Sequence, residues 1–171
     1  MEWLIKNVKV PLLLDADALN ILSQNVELLT KRCGDTVITP HLKEMARLTK
    51  IPSEEIKQNK IGIAKDFARK YNVTVLLKGE VSAVTDGEEV IENHTGTPAM
   101  AKGGSGDLLS GIIGGLMARK INVLTAASCG AYIAGKAAEM ALQDGNEYSL
   151  LPSETAVFVA KWLTKLIKAY N

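Results

Sequence analysis

Residues 103 to 107, Gly103-Gly104-Ser105-Gly106-Asp107, combine the residue types best suited to chemistry in this chain. Glycines let successive backbone N–H groups turn toward one point, and the start of a helix adds partial positive charge, so the segment suits a phosphate oxygen. Asp107 in the first helical turn could act as base on a hydroxyl whose attack on a phosphoryl group those amides stabilise. The same residues also read as a plain glycine loop ahead of an acidic first turn, and spacing does not choose between the two. A dinucleotide-binding turn fits less well, because no buried strand leads directly into Gly103. A Walker loop fits least, since no Gly-Lys-Ser/Thr ending is present.

Three further segments carry ligand-capable side chains. Leu12-Leu13-Leu14-Asp15-Ala16-Asp17 sets two carboxylates just past an apolar run, where open α/β sheets place their ligands. The pair resembles the Asp-x-Asp of haloacid-dehalogenase-type phosphatases, with Lys78 and Gly106-Asp107 in the place of later motifs. That family supplies a further carboxylate after the last Asp, whereas residues 108 to 118 contain none. Capping of the following helix by Asp15 and Asp17 is the plain alternative. In Thr39-Pro40-His41-Leu42-Lys43-Glu44, His41 could meet a ligand and Glu44 could support a magnesium-bound water, or the two could form a helix cap. Lys78-Gly79 closes another apolar run, with the lysine in water or its backbone lining a nucleotide.

The elements that must position these groups follow from the apolar pattern. Short apolar runs at residues 8–14, 36–39 and 73–77 predict buried strands. Helical sequence separates them: 16–23, 42–50, and one periodic stretch from Pro52 to Tyr71. Strands alternating with helices predict a parallel sheet covered on both faces. Residues 81–85 and 88–91 flank Asp86-Gly87 and predict an antiparallel hairpin with a two-residue turn. Helices are expected from Gly106, across 123–143 and across 153–169. The 123–143 stretch is rich in Ala, Ser, Cys and Gly and reads as core.

The chain has 171 residues, 47% apolar and 23% charged, with a net charge of +1. These values suit a single globular domain and argue against a nucleic-acid groove or a membrane-surface partner. Cys33 and Cys129 show no metal-ligand spacing and read as reduced thiols of a cytoplasmic protein. No secretory leader or membrane span is expected, and the Asn93-His94-Thr95 glycosylation match reads as accidental.

Taken in order, Asp15-Ala-Asp-Ala-Leu-Asn20, Thr39-Pro-His-x-x-Glu44, Leu77-Lys-Gly79 and Gly96-x-Pro98-x-Met100 leading into Gly103-Gly-Ser-Gly-Asp107 closely resemble the NAD(P)H-hydrate dehydratases of the ribokinase-like superfamily. The resemblance runs from about Val8 into the last helix. It implies a three-layer α/β/α fold with a mostly parallel sheet, in one domain lacking the family's N-terminal βα units. It also implies ADP- or ATP-dependent dehydration of hydrated NADH or NADPH, with Mg2+ as cofactor and a monovalent cation as a further candidate. In that reading Asp107 is the base, and the amides of Gly104, Ser105 and Gly106 stabilise the phosphoryl group. His41 and Asp107 meet the substrate, with Asn20, Asp15 and Asp17 as a wall of its site. Lys78, Gly79, Glu80, Val81, Ser82 and Gly106 border the nucleotide, and Glu44 organises magnesium. Glu80-Val81-Ser82 is less glycine-rich than many family loops. The absent units would leave an open sheet edge, so a second copy of the chain or a separate chain carrying that half is expected. Alternatives are a nucleotide-binding or assembly subunit without catalysis, a small-molecule kinase, and the phosphatase.

Overall fold

A computed structural model describes residues 1–143 and 145–170, without the side chain of Tyr170. A first helix α1 (Glu2–Asn7) precedes strand β1 (Leu12–Leu14) and helix α2 (Asp17–Leu22). A 3₁₀ turn at Val26–Lys31 leads to β2 (Thr36–Ile38), and α3 (Leu42–Thr49), α4 (Ser53–Gln58) and α5 (Lys60–Tyr71) follow. Then come β3 (Thr74–Leu77), β4 (Ser82–Thr85), β5 (Val90–Asn93), a 3₁₀ turn at Pro98–Met100, and helices α6 (Ser105–Ala118), α7 (Val123–Ala141) and α8 (Pro152–Tyr170).

The five strands lie in the order β1-β2-β3-β4-β5. The first three run parallel, with Leu13 opposite Val37 and Ile38 opposite Val75, and β4 and β5 add antiparallel. Alternation along each strand sends neighbouring side chains to opposite faces, and two separate cores result. Leu14, Ile38, Val75 and Leu77 pack with residues of α1 to α5, including Leu19, Leu22, Met45, Ile56 and Phe67. Val37, Leu76 and Val84 pack against Leu109, Ile113 and Met117 of α6 and the alanines Ala126, Ala127, Ala131 and Ala134 of α7. This is the expected three-layer arrangement, and the small residues of α7 are what allow it to lie close. At Gly130 a Cβ would run into the Ile113 side chain, and at Gly135 it would lie 2.7 Å from the Thr95 carbonyl carbon.

The structure departs from the sequence reading in four places. The first strand begins only at Leu12, since Pro11 has no N–H to give a ladder. The stretch from Pro52 to Tyr71 is two helices broken at Asn59, whose φ of −129° is non-helical. The hairpin loop has four residues rather than two, because Thr85 pairs with Val90. There Asp86 Oδ1 accepts from the amides of Glu88 and Glu89 at 2.9 Å, and Gly87 takes the positive φ of 101°. Helix α1 and the turn at Val26–Lys31 were not anticipated at all. Both cysteines are free and exposed, and among the described residues no helix is long and apolar enough to cross a membrane.

Candidate functional site

The C-terminal ends of β1, β2 and β3 open toward the N-terminus of α6, and of the predicted groups Asp15, Glu44, Lys78 and Gly106 gather there. Asp15 follows β1 directly, and Ala16 then turns the chain with a φ of +47°, which is uncommon for a residue with a side chain. That turn sends Asp15 across the sheet instead of onto its own helix, and neither Asp15 nor Asp17 forms the side-chain cap expected as the plain alternative. Asp15 Oδ1 accepts from Lys78 Nζ at 2.9 Å, and Oδ2 accepts from Ser110 Oγ of α6 at 3.4 Å. Lys78 itself is pinned because its amide donates to Pro40 O at 2.8 Å.

Burial acts to raise the Asp15 carboxyl, but the Lys78 ammonium outweighs it and holds the group below its ordinary range. The Thr39 hydroxyl, fully buried and without a hydrogen-bond partner of good geometry, lies close enough to Asp15 to favour the anion as well. Asp17, by contrast, is exposed, and Asn20 Oδ1 accepts from Arg47 Nη1 at 2.6 Å.

His41 and Glu44 form a reciprocal cap at the start of α3. His41 Nδ1 accepts from the Glu44 amide at 3.1 Å, and Glu44 Oε2 accepts from the His41 amide at 2.8 Å. An accepting Nδ1 leaves the ring hydrogen on Nε2, at the half-exposed edge of the ring. Glu44 is buried, 3.5 Å from His41 Nε2 and 4.0 Å from Lys78 Nζ. No three metal-ligating side chains cluster among the described residues. Glu44 Oε2 is thus engaged in the cap, and among the described residues no dedicated metal cage surrounds it.

The glycine loop is held from outside by Lys102, whose ammonium binds the carbonyls of Glu147, Tyr148 and Leu150 at 2.8 to 3.0 Å. Gly104 adopts a φ of +93° at the N-cap of α6. Among the described residues the amides of Gly103, Gly104, Gly106 and Asp107 meet no protein acceptor, which leaves them free to bind an anion. Ser105 differs, because its amide already donates to Lys102 O at 3.2 Å. Asp107 is exposed in the first turn. A Cβ on Gly106 would stand 3.1 Å from Asp15 Oδ2 and 4.0 Å from Lys78 Nζ, so the loop and the ion pair share one place.

Gly79 to Ser82 lie beside this cluster as the connection from β3 to β4, with Glu80 exposed. The loop is braced by Lys60, a residue the sequence did not single out, whose ammonium donates to Val81 O. Burial pulls the Lys60 amine below its ordinary range. Ser110 was also missed, although its position one helical turn after Gly106 could have revealed it. Two open hollows lie elsewhere, one between the α7–α8 connection and α8 and one between α3 and α5, and neither is lined by these groups.

Comparison with known proteins matches residues 1–157 to a carbohydrate-kinase-type family model described as NAD(P)H-hydrate dehydratase. A bifunctional NAD(P)H-hydrate repair enzyme of Moorella thermoacetica is 39% identical over 97% of this chain and 32% of that protein. An ADP-dependent (S)-NAD(P)H-hydrate dehydratase of Neisseria meningitidis is 36% identical over 96% of this chain and 56% of that enzyme. The chain thus spans about a third to a little over half the length of these relatives. The ADP/ATP-dependent NAD(P)H-hydrate dehydratase of Bacillus subtilis, crystallised with ATP and Mg2+, superposes with a TM-score of 0.83 at 27% identity, covering 94% of this chain and 57% of that one. A hydroxyethylthiazole kinase of Pyrococcus horikoshii shares the fold with a TM-score of 0.69.

Proposed function

The chain belongs to the NAD(P)H-hydrate dehydratase family, and from that premise we propose that it restores hydrated NADH or NADPH, at the expense of ADP or ATP, by phosphorylation of the added hydroxyl and loss of phosphate. The observation that carries this reading is the set of free amides at Gly104, Gly106 and Asp107 beside an exposed carboxylate and an Asp15–Lys78 pair. Asp107 takes the proton from the hydroxyl as its oxygen attacks. The amides, aimed outward at the N-terminus of a 14-residue helix, stabilise the charge that grows on the transferring group. Because Ser105 N is engaged with Lys102 O, the work assigned to the Ser105 amide falls to that of Asp107.

His41 offers its Nε2–H to the hydrated nicotinamide nucleotide, with Asn20 and Asp15 behind it. Gly79, Glu80, Val81 and Ser82 border the adenine nucleotide. Magnesium arrives on the nucleotide phosphates, with Glu44 acting through water, and a monovalent cation is a further requirement to test. The domain works in the cytoplasm, and nucleic acid and membranes are not its partners.

The 171 residues act as one domain within an assembly, in which another copy or a separate chain covers the open edge of the sheet. β1 stands at one edge of the sheet with no strand beyond it among the described residues, and Trp3 and Val10 are exposed. Light scattering of the purified chain tests this, and a monomer that leaves an apolar dye dark overturns it. The phosphatase alternative asks Asp15 to attack phosphorus, yet both its oxygens are engaged by Lys78 and Ser110.

The deciding experiment is recovery of reduced-nicotinamide absorbance from hydrated NADH with magnesium and ADP or ATP. Wild type should restore it, and Asp107→Asn should bind nucleotide but lose most turnover. Equal turnover in both would remove Asp107 as the base. Saturable nucleotide binding without turnover in the wild type would favour a binding subunit.

A further inference from the structure

We infer that the α7–α8 connection is a clamp on the glycine loop, and that Lys102 is the positioning residue that closes it. The Lys102 ammonium sets where the loop's free amides point without touching the anion they bind. The inference rests on the dehydratase reading above for its part in turnover and deepens that reading. It gives residues 145 to 152 a task in the reaction although they lie outside every group assigned to substrate, nucleotide or ion.

A lysine at the edge of a glycine loop would ordinarily be read as a phosphate ligand, but Lys102 is not available for that role. An ammonium has three N–H donors. Those of Lys102 meet three backbone acceptors, the carbonyls of Glu147 at 3.0 Å, Tyr148 at 2.8 Å and Leu150 at 2.9 Å. Its backbone is engaged as well. The Lys102 amide donates to Met100 O at 2.8 Å, and the Lys102 carbonyl accepts from Ser105 N at 3.2 Å. Ser105 is the first residue of α6. The placement of Lys102 therefore fixes the start of that helix, and with it the direction of the amides of Gly104, Gly106 and Asp107.

The connection is wound to receive the ammonium. Asn146 Oδ1 accepts from the amides of Tyr148 at 3.0 Å and Ser149 at 3.1 Å, and Leu150 N donates to Asn146 O at 3.3 Å. That turn is what aims three carbonyls at one point. Leu150 is buried in a cluster with Ala99, Ala138 and Ala141, so the turn is anchored in the protein interior. Without the ammonium, the three carbonyl oxygens would face one another with no donor between them, and the turn would open. A second contact acts at Gly104, where the backbone has its φ of +93°. A Cβ there would stand 3.3 Å from Cγ of Pro152, the first residue of α8. The clamp thus grips the loop on either side of Gly103, by charge at Lys102 and by van der Waals contact at Gly104.

Hydrogen–deuterium exchange of the whole chain, with and without ADP and magnesium, separates the outcomes. Lys102→Met should speed exchange at residues 145–151 and at the first bonded amides of α6, those of Ser105 and Leu108, in the same variant. ADP should slow exchange at residues 145–151 in wild type, although it does not touch them, and should fail to do so in Lys102→Met. Asn146→Ala changes no charge and leaves Lys102 in place, yet by unwinding the turn it should also speed exchange at Ser105 and Leu108. Turnover should fall in both variants, by up to about a hundredfold for amides displaced by an ångström, with adenosine binding unchanged. If Lys102→Met fails to fold, Asn146→Ala gives the same comparison. Faster exchange confined to residues 145–151, or full turnover in Lys102→Met, overturns the inference and leaves the dehydratase reading intact. A wild type in which ADP alters exchange nowhere overturns the nucleotide-dependent reading, and the comparison without ADP then decides whether the clamp exists.

Discussion

Replacing Gly135 by alanine should destabilise the protein, although alanine is the better helix former by about 1 kcal/mol. Gly135 lies inside α7, where the strand leaving β5 crosses the helix at closest range. A Cβ there would lie 2.7 Å from both the carbonyl carbon and the Cβ of Thr95. A side-chain clash can be relieved by a rotamer change, but this one involves backbone. Thr95 is also tied on both sides, its hydroxyl donating to Asn93 Oδ1 at 2.9 Å and lying 3.3 Å from Tyr132 O. Overpacking of this kind costs about 1–3 kcal/mol or somewhat more, so a net loss of about 2 kcal/mol is expected.

Gly111→Ala is the matched control. It is the same change inside α6, at an exposed position where nothing lies within 4 Å of the new methyl group. The unfolded-state entropy effect of Gly→Ala is common to both, so their difference isolates packing. At about 2–4 °C per kcal/mol for a chain of this size, Gly135→Ala should melt about 4–8 °C below wild type and Gly111→Ala about 2–4 °C above it. Thermal unfolding followed by circular dichroism reads both. If Gly135→Ala melts at or above wild type, the close crossing of α7 over Thr95 is wrong.

Two further outcomes are expected. Asp15 titrates below its ordinary value of 3.8 in the folded chain, so its pairing stabilises above the unfolded pKa and that stability disappears as pH falls through the folded one. Urea unfolding of wild type and Asp15→Asn should therefore differ by a constant amount from neutral pH to about pH 5 and converge only below about pH 4; a gap that already closes at neutral pH would contradict the ion pair. Glu44→Ala should cost about 1 kcal/mol through loss of the cap, whereas Glu44→Gln, which can still accept from the His41 amide, should retain most of that stability. If Glu44→Gln also loses magnesium-dependent turnover, Glu44 acts on the ion and not only on the helix.

The layered α/β architecture was legible because β-strand alternation and helical periodicity are local, and Leu14, Ile38, Val75 and Leu76 declare their faces within a few residues. The glycine loop ahead of a helix start was legible, but the engagement of Ser105 N by Lys102 was not, since a backbone hydrogen bond leaves no mark in side-chain types. Asp15 was read as wall or cap. Its partner Lys78 lies 63 residues away, and only the parallel alignment of β1, β2 and β3 brings the two together. Lys60 carried no signal, standing among other surface-type lysines on a helix whose orientation against Val81 is set by tertiary packing. The break at Asn59 escaped for a related reason, because apolar periodicity continued through it while the backbone turned.

The strands pair strictly with their neighbours in sequence, so during synthesis the sheet can grow one strand at a time as the chain emerges. One of its two faces is served immediately, since α1 to α5 are interleaved with the first three strands. The other face, carrying Val37, Leu76 and Val84, has no cover until residues beyond 105 leave the ribosome. For that interval the nascent protein is a half-dressed sheet with an apolar surface and an unpaired edge, the form most prone to aggregate. Chaperone demand should therefore peak before α6 and α7 are made, and a pause in translation between β5 and α6 should lower the soluble yield more than one placed after α7.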